Sequence, residues 1–299
     1  MPGVNAVGRM LGVLGDEWTL LIVQQALLGA ARYGDFTARL PISDAVLTGR
    51  LKSMTAEDLV TRRVYQDRPV RAEYVLTERG RALWPVLASV WAWERQWVPR
   101  HGDGLPAMHH RACGADITPV LVCRSCREPT SEKELRVRWG PSGSWPRSVP
   151  VRTTRRRSSP DTGRSAPGLF PETMTILGNR WAFAVVVAAF VGTSRFGDFE
   201  AQLAVPPSTL ADRLATLTDR GILANASGPY LMTEKGRAVL PVLITALQWA
   251  QQWYPAAEGP AVLLRHIACG AAFHGALACD SCAEILRGNQ LERVWHSPP

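Results

Sequence analysis

GDEWTLLIVQQALLGAARYGDF (15–36) returns as GNRWAFAVVVAAFVGTSRFGDF (178–199), and the chain says nearly everything else twice as well. YVLTERGRALWPVLASVWAWERQW (74–97) returns as YLMTEKGRAVLPVLITALQWAQQW (230–253). The first pair is offset by 163 residues and the second by 156, so copy 2 is seven residues shorter in between, at 60–74 against 223–230. A period near 160 residues is a duplicated domain, not a solenoid. Each position of one copy can therefore be tested against its twin.

Within each copy a helix signal runs from residue 4 to 29 (167 to 192), with Trp18 or Trp181 inside it. A short helix follows, Arg32 to Leu40 and Arg195 to Leu203. A third helix begins near Ser43 or Pro207, and its Leu47, Leu51 and Met54, or Leu210, Leu214 and Leu217, recur at i, i+4, i+7 as one buried stripe. RRVYQDRPVRAEYVL then alternates around a proline-containing tip and reads as a β-hairpin. Thr77 and Thr233 cap a final long helix, with Glu78 or Glu234 in its positively polarised first turn. Three helices, a hairpin and a long last helix make a winged helix-turn-helix.

The residues that carry this pattern are L-G-x-x-W ahead of R-Y/F-G-D-F, R-L in the third helix, and Y-x-L-T-E-x-G-R-A-L-x-P-V-L. Over about 90 residues of each copy they resemble the HxlR-type branch of the MarR-like bacterial transcription regulators, more closely in copy 1. The resemblance implies a DNA-binding regulator that works as a two-fold dimer.

Downstream of each domain stands H-x2-C-x9-C-x2-C: His110, Cys113, Cys123 and Cys126, then His266, Cys269, Cys279 and Cys282. All six cysteines are used. Zinc takes four ligands in a tetrahedron, and pairs two residues apart on tight turns supply them two at a time. His109 could compete with His110, but its twin is Arg265 whereas the twin of His110 is His266. Two structural zinc ions per chain are expected, one for each copy's own set. Three sulfurs and a histidine fill the shell, so no position is left open for catalysis. Buried thiols beside ordinary histidines, and a redox switch, are the competing readings of these residues.

In a winged helix the outward face of the third helix enters the major groove and the wing lies against the backbone or minor groove. With Leu47, Leu51 and Met54 inward, the base-edge candidates are Ala45, Thr48, Gly49 and Lys52. The wing candidates are Arg62, Arg63, Arg68 and Arg71, which would neutralise phosphates. Arg50 lies beside the buried stripe, has a twin in Arg213, and reads as a structural ion-pair partner, with Asp35 the nearest carboxylate to suggest itself. Copy 2 has Ser208, Ala211, Asp212 and Ala215 on the same face, and its short wing, LANASGPY (223–230), has no charge. Copy 1 is thus expected to read DNA and copy 2 to be a degenerate pairing partner.

Net charge is +8, of which residues 1–140 contribute +4, 141–168 contribute +5 and 169–299 contribute −1. The middle stretch, PSGSWPRSVPVRTTRRRSSPDTGRSAPG, is poor in aliphatic residues and reads as a flexible basic linker spanning roughly 30 Å. Its Arg155, Arg156 and Arg157 are either DNA contacts or merely solvated. The layout is then mainly α with small β-hairpins: winged domains at 1–100 and 169–256, zinc-binding modules at 101–140 and 257–299, and the linker at 141–168. At 46% hydrophobic residues each half can bury its own core. The longest apolar run, Ala182 to Gly192, is about half of the roughly 20 residues a membrane span needs. A signal peptide is not apparent at the start, so the expected compartment is cytoplasmic.

Trp91, Trp93 and Trp97 on the last helix of copy 1, with Trp249 and Trp253 in copy 2, read as packing where that helix meets its partner. A pocket for a small aromatic effector between the lobes is the alternative. No nucleophile with its base, phosphate-binding loop or carboxylate pair stands out, so an enzyme is not expected. The partner is double-stranded DNA, and the reading is a transcription regulator, taken as a repressor, paired within one chain or as a homodimer. A ligand-sequestering or effector-sensing protein on a winged-helix scaffold is the rival.

Overall fold

Gly15 and Asp16 break the long apolar stretch that opens copy 1. In the computed structural model, which describes residues 3–98, 105–149, 170–225 and 228–295, it forms α1 (Ala6–Leu14) and α2 (Glu17–Leu27) rather than one helix. Asp16 caps α2 by accepting from the Thr19 amide. Its twin Asn179 does the same between α8 (Pro171–Leu177) and α9 (Arg180–Phe190); α7 (Trp145–Ser148) lies in the connection between copies. Asp16 and Asn179 also form an antiparallel bridge with one another. Neither glycine leaves room for a side chain: a Cβ on Gly15 would lie 2.2 Å from Leu11 O and 3.1 Å from Arg180 Cα, and one on Gly178 would lie 2.6 Å from Met174 O and 3.1 Å from Glu17 Cβ.

The helix-turn-helix follows as expected. α3 (Tyr33–Arg39) and α4 (Asp44–Ala56) form in copy 1, α10 (Phe196–Leu203) and α11 (Pro207–Asp219) in copy 2. Leu47, Leu51, Met54, Leu210, Leu214 and Leu217 are all fully buried. At about 1.5–3 kcal/mol for each large apolar side chain taken out of water, this stripe fixes both helices against the core. The copy 1 wing is β1 (Val60–Asp67) paired antiparallel with β2 (Val70–Leu76). In copy 2 it shrinks to β7 (Leu223–Ala224) and β8 (Leu231–Met232).

Thr77 and Thr233 cap single turns, α5 (Glu78–Arg81) and α12 (Glu234–Arg237), before the long helices α6 (Trp84–Trp97) and α13 (Leu240–Trp253). α6 packs on α13, and one hydrophobic cluster runs through both copies. Trp93 Nε1 donates to Lys235 O at 3.0 Å, and its twin Trp249 Nε1 donates to Arg79 O, the twin carbonyl, at 3.0 Å. The copies thus pair around a local two-fold axis inside one chain.

The tails depart from the expectation of two separate modules. β3 (Ala107–His110), β4 (Ala115–Ile117), β5 (Pro119–Cys123) and β6 (Leu135–Trp139) come from copy 1; β9 (Val262–His266), β10 (Gly275–Cys279) and β11 (Leu291–Val294) come from copy 2. β5 pairs with β10, β6 with β9, and β11 with β3. Residues 105–140 and 257–295 therefore build one interleaved body, because each tail's edge strands find their hydrogen-bond partners in the other tail.

The linker expectation is also corrected at its start. Residues 141–149 are folded onto α1: Asn5 Nδ2 donates to Ser142 O at 3.2 Å and to Ser148 Oγ at 3.0 Å, and both serines are buried. Few aliphatics are needed there, because the segment is held by hydrogen bonds and by Trp145. Arg155, Arg156 and Arg157 lie outside the described residues. Among the described residues no helix is long and apolar enough to cross a membrane.

Candidate metal centres and nucleic-acid interface

The His-x2-Cys segments form tight turns in which Gly114 N donates to His110 O (2.8 Å) and Gly270 N to His266 O (2.9 Å). Gly114 and Gly270 have φ of +72° and +70°, where a side chain is strained. The Cys-x2-Cys segments turn likewise, with Arg127 N on Cys123 O and Ala283 N on Cys279 O. Each turn aims two ligand atoms to one side. The partner turn, however, belongs to the other copy.

The two clusters are His110, Cys113, Cys279 and Cys282, and Cys123, Cys126, His266 and Cys269. In each, all four ligand atoms lie within 4.8 Å of one another. The eight clustered residues are those singled out in the sequence as candidate ligands; their grouping by copy is corrected. Cys113 Sγ is 3.8 Å from Cys279 Sγ, and Cys123 Sγ is 4.0 Å from Cys269 Sγ. His110 Nδ1 is 3.3 Å from Cys113 Sγ and 3.6 Å from Cys282 Sγ. Zn–S near 2.3 Å and Zn–N near 2.0–2.1 Å require tetrahedron edges of about 3.8 Å (S···S) and about 3.6 Å (N···S). Both clusters fit that ion, with Nδ1 as the histidine ligand atom. His109 is outside the clusters, its Nδ1 3.0 Å from Asp116.

The cluster thiols are tuned apart. A backbone hydrogen bond at Ala115 holds the Cys113 thiol below its ordinary pKa, whereas burial pushes that of Cys279 up to about 11.

On α4, Ala45, Thr48, Gly49 and Lys52 are all exposed. Tyr33 OH bridges to Thr48 Oγ1 (3.2 Å) and to Asp44 O (2.9 Å), tying α3 to this face. Arg62, Arg63, Arg68 and Arg71 are exposed on the wing, but Arg63 is committed to its cross-strand neighbour Glu73, with Nε 2.7 Å from Oε1. Arg62, Arg68 and Arg71 have no ion pair among the described residues. Arg50 does form a structural ion pair, with Asp16 Oδ2 at 2.8 Å rather than with Asp35. Asp35 instead accepts from the Ala31 and Arg32 amides, chiefly the latter, which hold its carboxyl below the ordinary range. In copy 2, Ser208, Ala211, Asp212 and Ala215 are exposed at the matching positions.

Sequence reasoning missed Arg32, whose guanidinium lies 5.1 Å over the Tyr65 ring and braces the wing from α3. Only the fold brings them together.

A family model described as HxlR-like helix-turn-helix matches residues 13–102 and again residues 176–258. The chain belongs to this family. Its HxlR-like domains thus recur in tandem, as the duplication requires. The uncharacterized HTH-type transcriptional regulator Rv3095 of Mycobacterium tuberculosis is 33% identical over 137 residues, 46% of this chain and 87% of that protein. YvaP of Bacillus subtilis, named in the same way, is 40% identical over 91 residues, 30% of this HxlR-like chain and 84% of that protein. Among solved structures, PA1607, described only as a candidate transcription factor, is 28% identical, covers 39% of this chain and 84% of its own, and has a TM-score of 0.34. The relatives are named as transcriptional regulators, not as enzymes.

Proposed function

We propose that this HxlR-like protein is a sequence-specific double-stranded DNA-binding repressor, with copy 1 as its reader and copy 2 as a pairing partner. The observation that carries the proposal is the contrast between twins. Copy 1 exposes Lys52 and three wing arginines that have no ion pair among the described residues, where copy 2 exposes Asp212 and a wing of two-residue strands. Phosphate neutralisation supplies most non-specific affinity, and base-edge contacts supply specificity. A carboxylate on the reading face opposes both. Repression follows most simply from occupancy of a site.

The two clusters act as structural zinc sites in this reading. Zinc there would supply no chemistry; it would pin each His-x2-Cys turn of one copy to the Cys-x2-Cys turn of the other. The reduced thiols this requires belong in a cytoplasmic setting. The test is titration of duplex DNA by purified protein across salt, with genome-wide DNA pull-down and footprinting. Specific binding should fall steeply with salt and one strong half-site should be protected per chain. Absence of duplex binding at about 50 mM salt would sink the proposal, since that is where counterion release favours the complex most.

A further inference from the structure

The C-terminal end of α4 is held by a residue of copy 2. Glu57, the C-cap of α4, accepts at Oε2 from the hydroxyl of Tyr254 at 3.0 Å, and Tyr254 is the C-cap of α13. Arg79 closes the same corner: its Nη1 donates to Glu57 O at 2.8 Å, and its guanidinium lies 5.1 Å over the Tyr254 ring. That ring also meets Trp249 edge to face, their centroids 5.7 Å apart, and Trp249 is the residue bonded to Arg79 O. Burial first, and then the Glu57 carboxylate, push the Tyr254 phenol well above its ordinary pKa, so the hydroxyl keeps its proton and stays a donor. A hydroxyl on a carboxylate is among the stronger hydrogen bonds.

Copy 2 has no such clamp on its own third helix. The twin of Tyr254 is Val98, which has no hydroxyl, and the twin of Glu57 is Arg220. Arg220 pairs with Glu172 of its own copy, the charge-reversed counterpart of the Arg9–Glu57 pair at 3.7 Å. The ends of α4 and α11 are thus each tied to the first helix of their own copy. Among the described residues, only the end of α4 has a side-chain hydrogen bond to the opposite copy. The turn beyond it also differs: Asp58 has φ of +54°, where a side chain is strained, whereas its twin is Gly221 at +67°.

We propose that Tyr254 is a positioning residue for DNA reading: copy 2 fixes the end of α4 through the Tyr254–Glu57 hydrogen bond, and so contributes to sequence specificity without touching DNA. The inference rests on copy 1 being the reader. The buried stripe of α4 ends at Met54, and the exposed Thr55 and Ala56 bring no core contact, so the last turn is held at Glu57. Lys52 stands five residues before it, about 7.5 Å along the axis at 1.5 Å per residue. Base-edge contacts need a fixed geometry, whereas attraction to phosphates falls off slowly with distance. A loosened α4 therefore loses discrimination before it loses general affinity.

Two readouts on the full chain test this. Tyr254→Phe keeps the ring against Trp249 and Arg79 and removes only the hydroxyl. Without DNA, hydrogen exchange of the Glu57, Asp58 and Leu59 amides, which bond back into α4, should quicken about threefold or more, while the twin amides of Arg220, Gly221 and Ile222 stay unchanged. With DNA, fluorescence anisotropy at one salt concentration should show the ratio of affinities for the footprinted and a scrambled duplex falling about threefold or more, with the scrambled duplex bound nearly as before. Glu57→Ala removes the acceptor and should act in the same direction; in that background Tyr254→Phe should add nothing. Exchange equal in variant and wild type overturns the clamp. Faster exchange at both helix ends, or parallel loss for both duplexes, shows a merely structural tyrosine and overturns the positioning role, as do additive losses in the double variant. A wild-type chain that binds no duplex sinks the reading of copy 1 and the specificity role with it, and the exchange result still decides the clamp.

Discussion

Leu121 lies opposite Leu277 in the ladder of β5 and β10, and each is the other's counterpart in the duplication. A strand pair that is its own twin must lie on a two-fold axis. The axis explains why β6 pairs with β9 while β11 pairs with β3, and why Trp93 and Trp249 make the same hydrogen bond in opposite directions. It also explains why each metal cluster draws two ligands from each copy.

Zinc counting separates interleaved from separate sites. Cys113→Ser with Cys279→Ser, mutated together, strike one cluster and should cost one zinc per chain. Cys113→Ser with Cys123→Ser strike both and should cost both. Elemental analysis of protein purified without chelator or acid reads the result; sites built within each copy would give the reverse order.

DNA affinity should be asymmetric between the copies. Lys52→Ala should cost on the order of 1–3 kcal/mol if the lysine makes a base contact, and Arg71→Ala should weaken binding and flatten the salt slope. Asp212→Ala should leave affinity unchanged or raise it. An Asp212→Ala loss as large as that of Lys52→Ala, measured by fluorescence anisotropy on the footprinted site, would show that copy 2 reads DNA too.

Within the wing the arginines should rank by their partners. Arg63 is held by Glu73, so Arg63→Ala should reduce DNA affinity less than Arg68→Ala or Arg71→Ala, whose side chains have no ion pair among the described residues. Salt-dependent titration of the three variants checks the order.

The pairing of the lobes should depend equally on the twin tryptophans. Trp93→Phe and Trp249→Phe each remove one part-buried hydrogen bond, worth about 1 kcal/mol net and more where the carbonyl is left unpaired. Gly15→Ala pushes a methyl onto the Leu11 carbonyl and toward Arg180 and should cost roughly 1–3 kcal/mol by overpacking. Urea unfolding of each variant provides the measurement.

Asp35 should give acid-dependent stability. Amide hydrogen bonds lower its folded-state pKa below the ordinary 3.8, so its contribution is fully present above that value and is lost as pH falls through the lowered one. Asp35→Asn should therefore destabilise the protein at neutral pH and converge with the wild type in strong acid, as followed by melting temperature against pH.

Much of this was legible in the residues. The i, i+4, i+7 stripe of Leu47, Leu51 and Met54 identified which face of α4 is buried, and so which is exposed, because periodicity is a local property. Duplication selected His110 over His109 for the same kind of reason. Other features were not legible. Gly15 comes close to Arg180 of the other copy, and Arg50 chose Asp16 over Asp35 because α2 begins beside α4 in space. Neither relation leaves a trace in local sequence.

By itself the sequence determined the two winged domains, the eight candidate ligands, and the loss of charge from copy 2, since each depends on residue type and short-range spacing. Only the tertiary structure decided which ligands share an ion. Each His-x2-Cys or Cys-x2-Cys turn presents two ligands whatever the origin of the other two, so spacing is the same for separate and exchanged sites. The choice fell to the strands between the turns: the β5 and β10 edges pair with each other across the axis, and that carries Cys279 and Cys282 to His110, and Cys123 and Cys126 to His266.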